Sequence, residues 1–234
     1  MYNQDSKMKI FLSGFLVFFI GAIILSCQPK FISTKYDFEL PASKHAIQKK
    51  ANTSFSFYSF KNNETIVSVG AMSCMTEIYF ALQRQNLNFY LENILSKHLN
   101  DSVFQFTKNH FEKLYHKQLN SNFHLVIGND SSTTLPKSIA DKVIVENSFH
   151  EFSLPQKMFQ DFYKILKPNG KLYFNEYLRT SKYTVHSGCK KRLFSQEEII
   201  EIASQNHFDF KRIQNDLLID DNGNISQLIE FEKN

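Results

Sequence analysis

Three polar positions in this chain fall just behind short apolar runs: Glu92, Asp130 and Asn147. A carboxylate in such a place offers two fixed acceptor oxygens to the donors of a ligand. Left to itself it is more simply a helix cap or a solvated loop acid. Gly70 follows another apolar run, in the turn VGAMSC, where a missing Cβ lets backbone and ligand approach closely. His150 and Glu151, in NSFHEF, are candidates for substrate contact; the plainer reading of His150 is a polar loop residue bonded to a carbonyl. His186 and Cys189, in HSGC, have a metal-like spacing, but a lone pair does not make a site and no metal centre is expected. His110 and His116 lie six positions apart on one helix, so they point in different directions and are not co-ligands. Arg179, Lys182, Lys190, Lys191 and Arg192 surround one loop with positive charge. They read as a solvated run rather than a site for an anionic substrate or lipid headgroups.

These residues need elements to hold them. Residues 141–177 read as strand, helix and strand in a row. A β-branched apolar run at 142–145 is too short for a helix, and Met158, Phe159, Phe162, Ile165 and Leu166 then recur at helical spacing behind Ser153 and Pro155. Pro168 and Gly170 end that helix before Leu172, Tyr173 and Phe174 open the next strand. Short connections of this kind imply parallel pairing through a right-handed crossover. Upstream, TIVSV at Thr65–Val69, residues 87–91 and 123–127 are further strands. Helices follow through Met75, Ile78, Tyr79 and Leu82, and through Phe104, Thr107, Phe111 and Leu114, the second capped by Asp101 or Ser102. Ser195 and Glu198 form a capping box, and two strands, Phe208–Ile219 and 225–231, are joined through Asn222 and Gly223 as a hairpin. Alternation throughout predicts a doubly wound α/β sheet, whose ligand belongs beyond the carboxyl ends of the strands at the switch in strand order.

In Gly70, Asn129-Asp130, NSFHEF and LKPNG at 166–170, the chain resembles the class I S-adenosylmethionine-dependent methyltransferases, particularly their small-molecule branch. The resemblance spans residues 64–234 and implies a Rossmann-like seven-strand sheet, order 3-2-1-4-5-7-6, with the last strand antiparallel. It implies S-adenosylmethionine as cofactor, with Gly70 against its methionine part, Glu92 on the ribose diol, Asp130 near the adenine and Asn147 between cofactor and substrate. No catalytic residue is implied, because transfer from a sulfonium needs little beyond in-line positioning. The sequence departs from the family where Met72 and Cys74 replace loop glycines and Ser68 replaces the acid before the loop. Such departures leave a non-catalytic, ligand-binding or partner-binding relative as the alternative.

Length and composition fit one α/β domain: 234 residues, 24 Phe, 10 Tyr and only 7 Gly. A net charge of +4 is too balanced to argue for nucleic acid. Before the domain, Lys7 and Lys9 precede an apolar stretch at 10–26 that ends ILSC at Cys27, which resembles a bacterial lipoprotein signal with Cys27 lipidated. The chain then divides into a signal at 1–26, a tether and lead-in at 27–63 containing a short helix from Ser43 to Lys50, and the domain at 64–234. This places the protein on a membrane at the cell envelope; an uncleaved anchor facing the cytoplasm is the other reading. Cys74 and Cys189 are too few for a disulfide scaffold.

Overall fold

A computed structural model describes residues 31–220 and 222–234 of the chain. Lipidation at Cys27 and the apolar stretch before it lie outside the described residues. Among those described, no helix is long and apolar enough to cross a membrane.

A two-stranded hairpin, β1 (Phe31–Ser33) and β2 (Glu39–Pro41), leads into α1 (Lys44–Tyr58). Ser43 caps α1, as its hydroxyl accepts from the Ala46 N–H. The helix continues to Tyr58, well past the expected end near Lys50, because tertiary packing overrides its polar sequence. Tyr58 packs 5.1 Å from the Tyr173 ring and 5.8 Å from the Phe80 ring, centroid to centroid. Arg212 lies 4.1 Å over the Phe57 ring and donates to the Phe57 carbonyl. The lead-in is thus packed on the sheet.

The remaining elements alternate as the sequence predicts: β3 (Thr65–Val69), α2 (Met75–Gln83), β4 (Asn88–Asn93), α3 (Asp101–Tyr115), β5 (Asn122–Ile127) and β6 (Ala140–Glu146). A single 3-10 turn at Phe149–Glu151 precedes α4 (Pro155–Ile165) and β7 (Leu166–Tyr177). Then come α5 (Gln196–Gln205), β8 (Phe208–Ile219) and β9 (Ile225–Lys233). One seven-stranded sheet runs β5-β4-β3-β6-β7-β9-β8, with β9 antiparallel to both neighbours. Setting the N-terminal hairpin aside, this is the implied order 3-2-1-4-5-7-6. Strand order reverses between β3 and β6, which pair in parallel through Val69↔Val145.

Phenylalanine fills both faces. Phe60, Phe80, Phe89 and Phe111 pack under α1, α2 and α3, while Phe149, Phe159, Phe162, Phe174 and Phe231 pack under α4 and α5. Each such ring stabilises the fold by roughly 1.5–3 kcal/mol relative to exposure. Helix ends differ in detail from expectation. Asn100, one residue before the expected cap, takes the Val103 N–H and caps α3. At α4 the cap position is Leu154 with no side-chain bond, so Pro155 alone sets the first turn and Ser153 stays outside it. The Ser195–Glu198 box of α5 is present with both bonds.

Candidate functional site

A cavity of about 540 Å³ opens at the carboxyl ends of β3, β4 and β6, within the range of small-ligand sites. Its apex is the turn after β3. Gly70 holds φ +81°, and a Cβ there would lie 2.5 Å from Ser148 Oγ, so only glycine fits beside β6. Both the Gly70 and Ala71 N–H groups donate to the Glu92 carbonyl, at 3.0 and 2.9 Å, which fastens the turn to the end of β4. The two residues that replace loop glycines behave differently. Cys74 adopts left-handed φ +56°, a conformation glycine takes without cost, with its side chain buried. Met72 is 48% exposed on the cavity rim. Neither closes the cavity.

Glu92 is 2% exposed and lines the cavity, and among the described residues its Oε1 has no hydrogen-bond partner. A side chain at Gly128, at the end of β5, would collide with that oxygen, so Gly128 makes room for the carboxyl. Burial pushes the Glu92 pKa up to about 7, opposed by the nearby Gly70 and Gly128 amides. Asp130 sits exposed at the mouth, beside the tight turn in which Asn129 accepts from Ser131. Asn147, at φ +49°, follows β6 and lines the same cavity, as does Glu151. Gly70, Glu92, Asp130, Asn147 and Glu151 therefore share one space. His150 does not: it is buried with Nδ1 2.8 Å from Glu176 Oε1, off the cavity wall.

Beneath β6 lies a polar floor that the sequence reading missed. Ser68 Oγ donates to Glu77 Oε1 at 2.5 Å, so the acid absent from the end of β3 is supplied from the first turn of α2. Glu146, the last residue of β6, accepts from the Tyr58 hydroxyl at 2.8 Å. Burial, then the like charge of Glu77, pushes the Glu146 pKa up to about 8, with Tyr58 opposing. Lys50, from α1, also lines this end, its pKa lowered by burial. Asn175 donates to Asp216 at 2.8 Å, leaving its own Oδ1 buried and without a partner among the described residues. The one usable sequence signal was Glu146 itself, a charged residue ending an apolar strand.

The family profile described as "Methyltransferase domain" matches residues 83–174, less than half of the chain. No curated protein matches the sequence. Among solved structures, an S-adenosylmethionine-dependent methyltransferase from Aquifex aeolicus superposes with TM-score 0.60 at 14% identity, over 77% of this chain and 88% of that one. Magnesium protoporphyrin IX methyltransferase (ChlM) from Synechocystis PCC 6803, solved with bound SAH, gives TM-score 0.60 at 13% identity, over 80% and 84%. The [4+2]-cyclase SpnF gives TM-score 0.61 at 11% identity, over 89% and 88%. At such identities the likeness shows the fold. The fold is that of the class I S-adenosylmethionine-dependent methyltransferases, and residues 83–174 are similar to a methyltransferase domain.

Proposed function

We propose that the chain transfers a methyl group from S-adenosylmethionine to a small molecule while held at a membrane by its N-terminus. The observation that carries the cofactor reading is Glu92: a buried carboxyl that lines the cavity at the strand switch, with one oxygen lacking a partner among the described residues. A buried acceptor left open costs about 1–3 kcal/mol, which a ribose diol would recover. Gly70 and Ala71 would hold the methionine part, Glu77 with Ser68 its ammonium group, and Asp130 the adenine side. When bound, the cofactor supplies an electrophilic methyl on a sulfonium.

Glu146 has the attributes of a proton acceptor for the attacking atom: it lines the acceptor end beside Asn147 and Asn175, and its pKa lies near neutrality. The size of the cavity, shared between cofactor and acceptor, favours a small acceptor. Membrane attachment rests on the apolar stretch before Cys27. Mass spectrometry of the mature N-terminus tests it; an unmodified full-length product would reject lipidation.

One observation favours a second reading, a ligand-binding relative without methyl transfer. Cys74 and Met72 put side chains on the wall and rim of the cavity where loop glycines would have none, and the same fold serves unrelated chemistries. Thermal unfolding with S-adenosylmethionine separates the two: a melting temperature that climbs with ligand supports the enzyme. No shift at millimolar ligand supports the non-catalytic relative.

A further inference from the structure

Outside the cavity wall, three side chains distant in sequence meet. His150, from the 3-10 turn after β6, and His186 and Cys189, from the loop between β7 and α5, bring one ligand atom each to within 4.8 Å of one another. The two imidazoles lie 4.4 Å apart between centroids, and His186 Nδ1, which accepts the Cys189 N–H, is 3.3 Å from Cys189 Sγ. That separation matches one edge of a tetrahedron around an ion with metal–nitrogen and metal–sulfur bonds of about 2.0 and 2.3 Å.

His150 makes the cluster more than a coincidence of surface residues. Its side chain is 1% exposed, and Nδ1 is fixed by Glu176 Oε1 at 2.8 Å. Glu176 is itself buried and held by the Phe149 N–H through its other oxygen. Nε2 is left buried without a hydrogen-bond partner among the described residues; the Glu151 carboxylate approaches only to 3.9 Å. A carboxylate on one ring nitrogen and an open position on the other is how proteins orient a metal-binding histidine.

We infer that His150, His186 and Cys189 bind one zinc-type divalent cation, with Glu176 orienting His150 and the fourth position open toward Glu151. Two imidazoles and a thiolate suit zinc over magnesium or calcium. Binding displaces the thiol proton of Cys189 to solvent. The ion clamps the 178–194 loop onto the ends of β6 and β7, beside Glu151 and Tyr177 of the cavity wall. Zinc uptake is independent of the cofactor reading, because it is measured with no cofactor present.

The test is titration of the chelator-treated, full-length chain with zinc chloride, followed by calorimetry, and with cobalt(II) followed by absorption. One equivalent of zinc should bind and raise the melting temperature. Cobalt should give tetrahedral d–d bands with a thiolate charge-transfer band. Cys189→Ser should abolish the charge-transfer band and weaken zinc about tenfold or more, and Glu176→Gln should weaken it about 10- to 100-fold. Cys189 is exposed, so Cys189→Ser should melt with the metal-free wild type. Substoichiometric zinc, or Cys189→Ser binding as tightly as wild type, would overturn the inference.

Discussion

The two ends of the cavity handle their acids in opposite ways. At the β4 end, Glu92 is buried and faced by Gly128, and its Oε1 has no hydrogen-bond partner among the described residues, an acceptor that the proposed cofactor would use. At the β6 end, Glu146 and Glu77 are each bonded by a hydroxyl, from Tyr58 and Ser68, and share Lys50 nearby. An open buried acceptor destabilises the empty protein and is recovered on binding. A coupled, hydrogen-bonded acid holds its place with or without ligand and can exchange a proton. On the proposed function, one end would serve affinity and the other proton handling.

That contrast can be broken at several points. The largest effect belongs to Gly70→Val, which forces a side chain into Ser148 at a left-handed backbone position. It should cost about 2 kcal/mol or more in stability and abolish cofactor binding, as read by chemical denaturation and calorimetry. Glu146→Gln should lower the turnover number about 100-fold with cofactor affinity retained, measured with an acceptor found by radiolabelled methyl transfer. A base must be unprotonated, so wild-type rate should rise as pH climbs through about 8, and the variant should lose that rise.

Glu92→Gln should have a smaller and opposite-signed effect on the empty protein. The folded pKa of Glu92 is raised from 4.5 to about 7, so its contribution to stability is fully present below about pH 4.5 and lost as pH rises through about 7. The amide removes that loss. The ligand-free variant should therefore exceed wild type by about 1–3 kcal/mol at pH 8 and match it near pH 4. Least of all should change with Met72→Ala, because Met72 stands half in solvent on the rim. Stability should move by less than about 0.5 kcal/mol. A large gain in affinity would show that Met72 obstructs the site after all.

The same division separates what could be read from the sequence from what could not. The strand-to-glycine turn at Gly70, the capping box at Ser195 and the hairpin at Asn222-Gly223 are local patterns, and each forms where its chemistry places it. Glu92 and Asp130 are legible because one stands at the end of a strand and the other just past one, and strand ends converge in a doubly wound sheet. The floor was not legible. Its bonds join Tyr58 to Glu146 and Asn175 to Asp216 across long stretches of chain, and α1 looked like a polar lead-in until its aromatic end met the sheet. His150 is a candidate substrate contact by sequence, yet its partners, Glu176 and His186, come from elsewhere in the chain.

The most direct measurement is isothermal calorimetry of S-adenosylhomocysteine into the wild-type chain and Glu92→Ala. Binding at one site per chain, weakened about 10- to 100-fold by Glu92→Ala, is the predicted result. Equal affinity in both proteins, or no heat in either, would contradict the claim that the open carboxyl at the end of β4 is there to hold the cofactor.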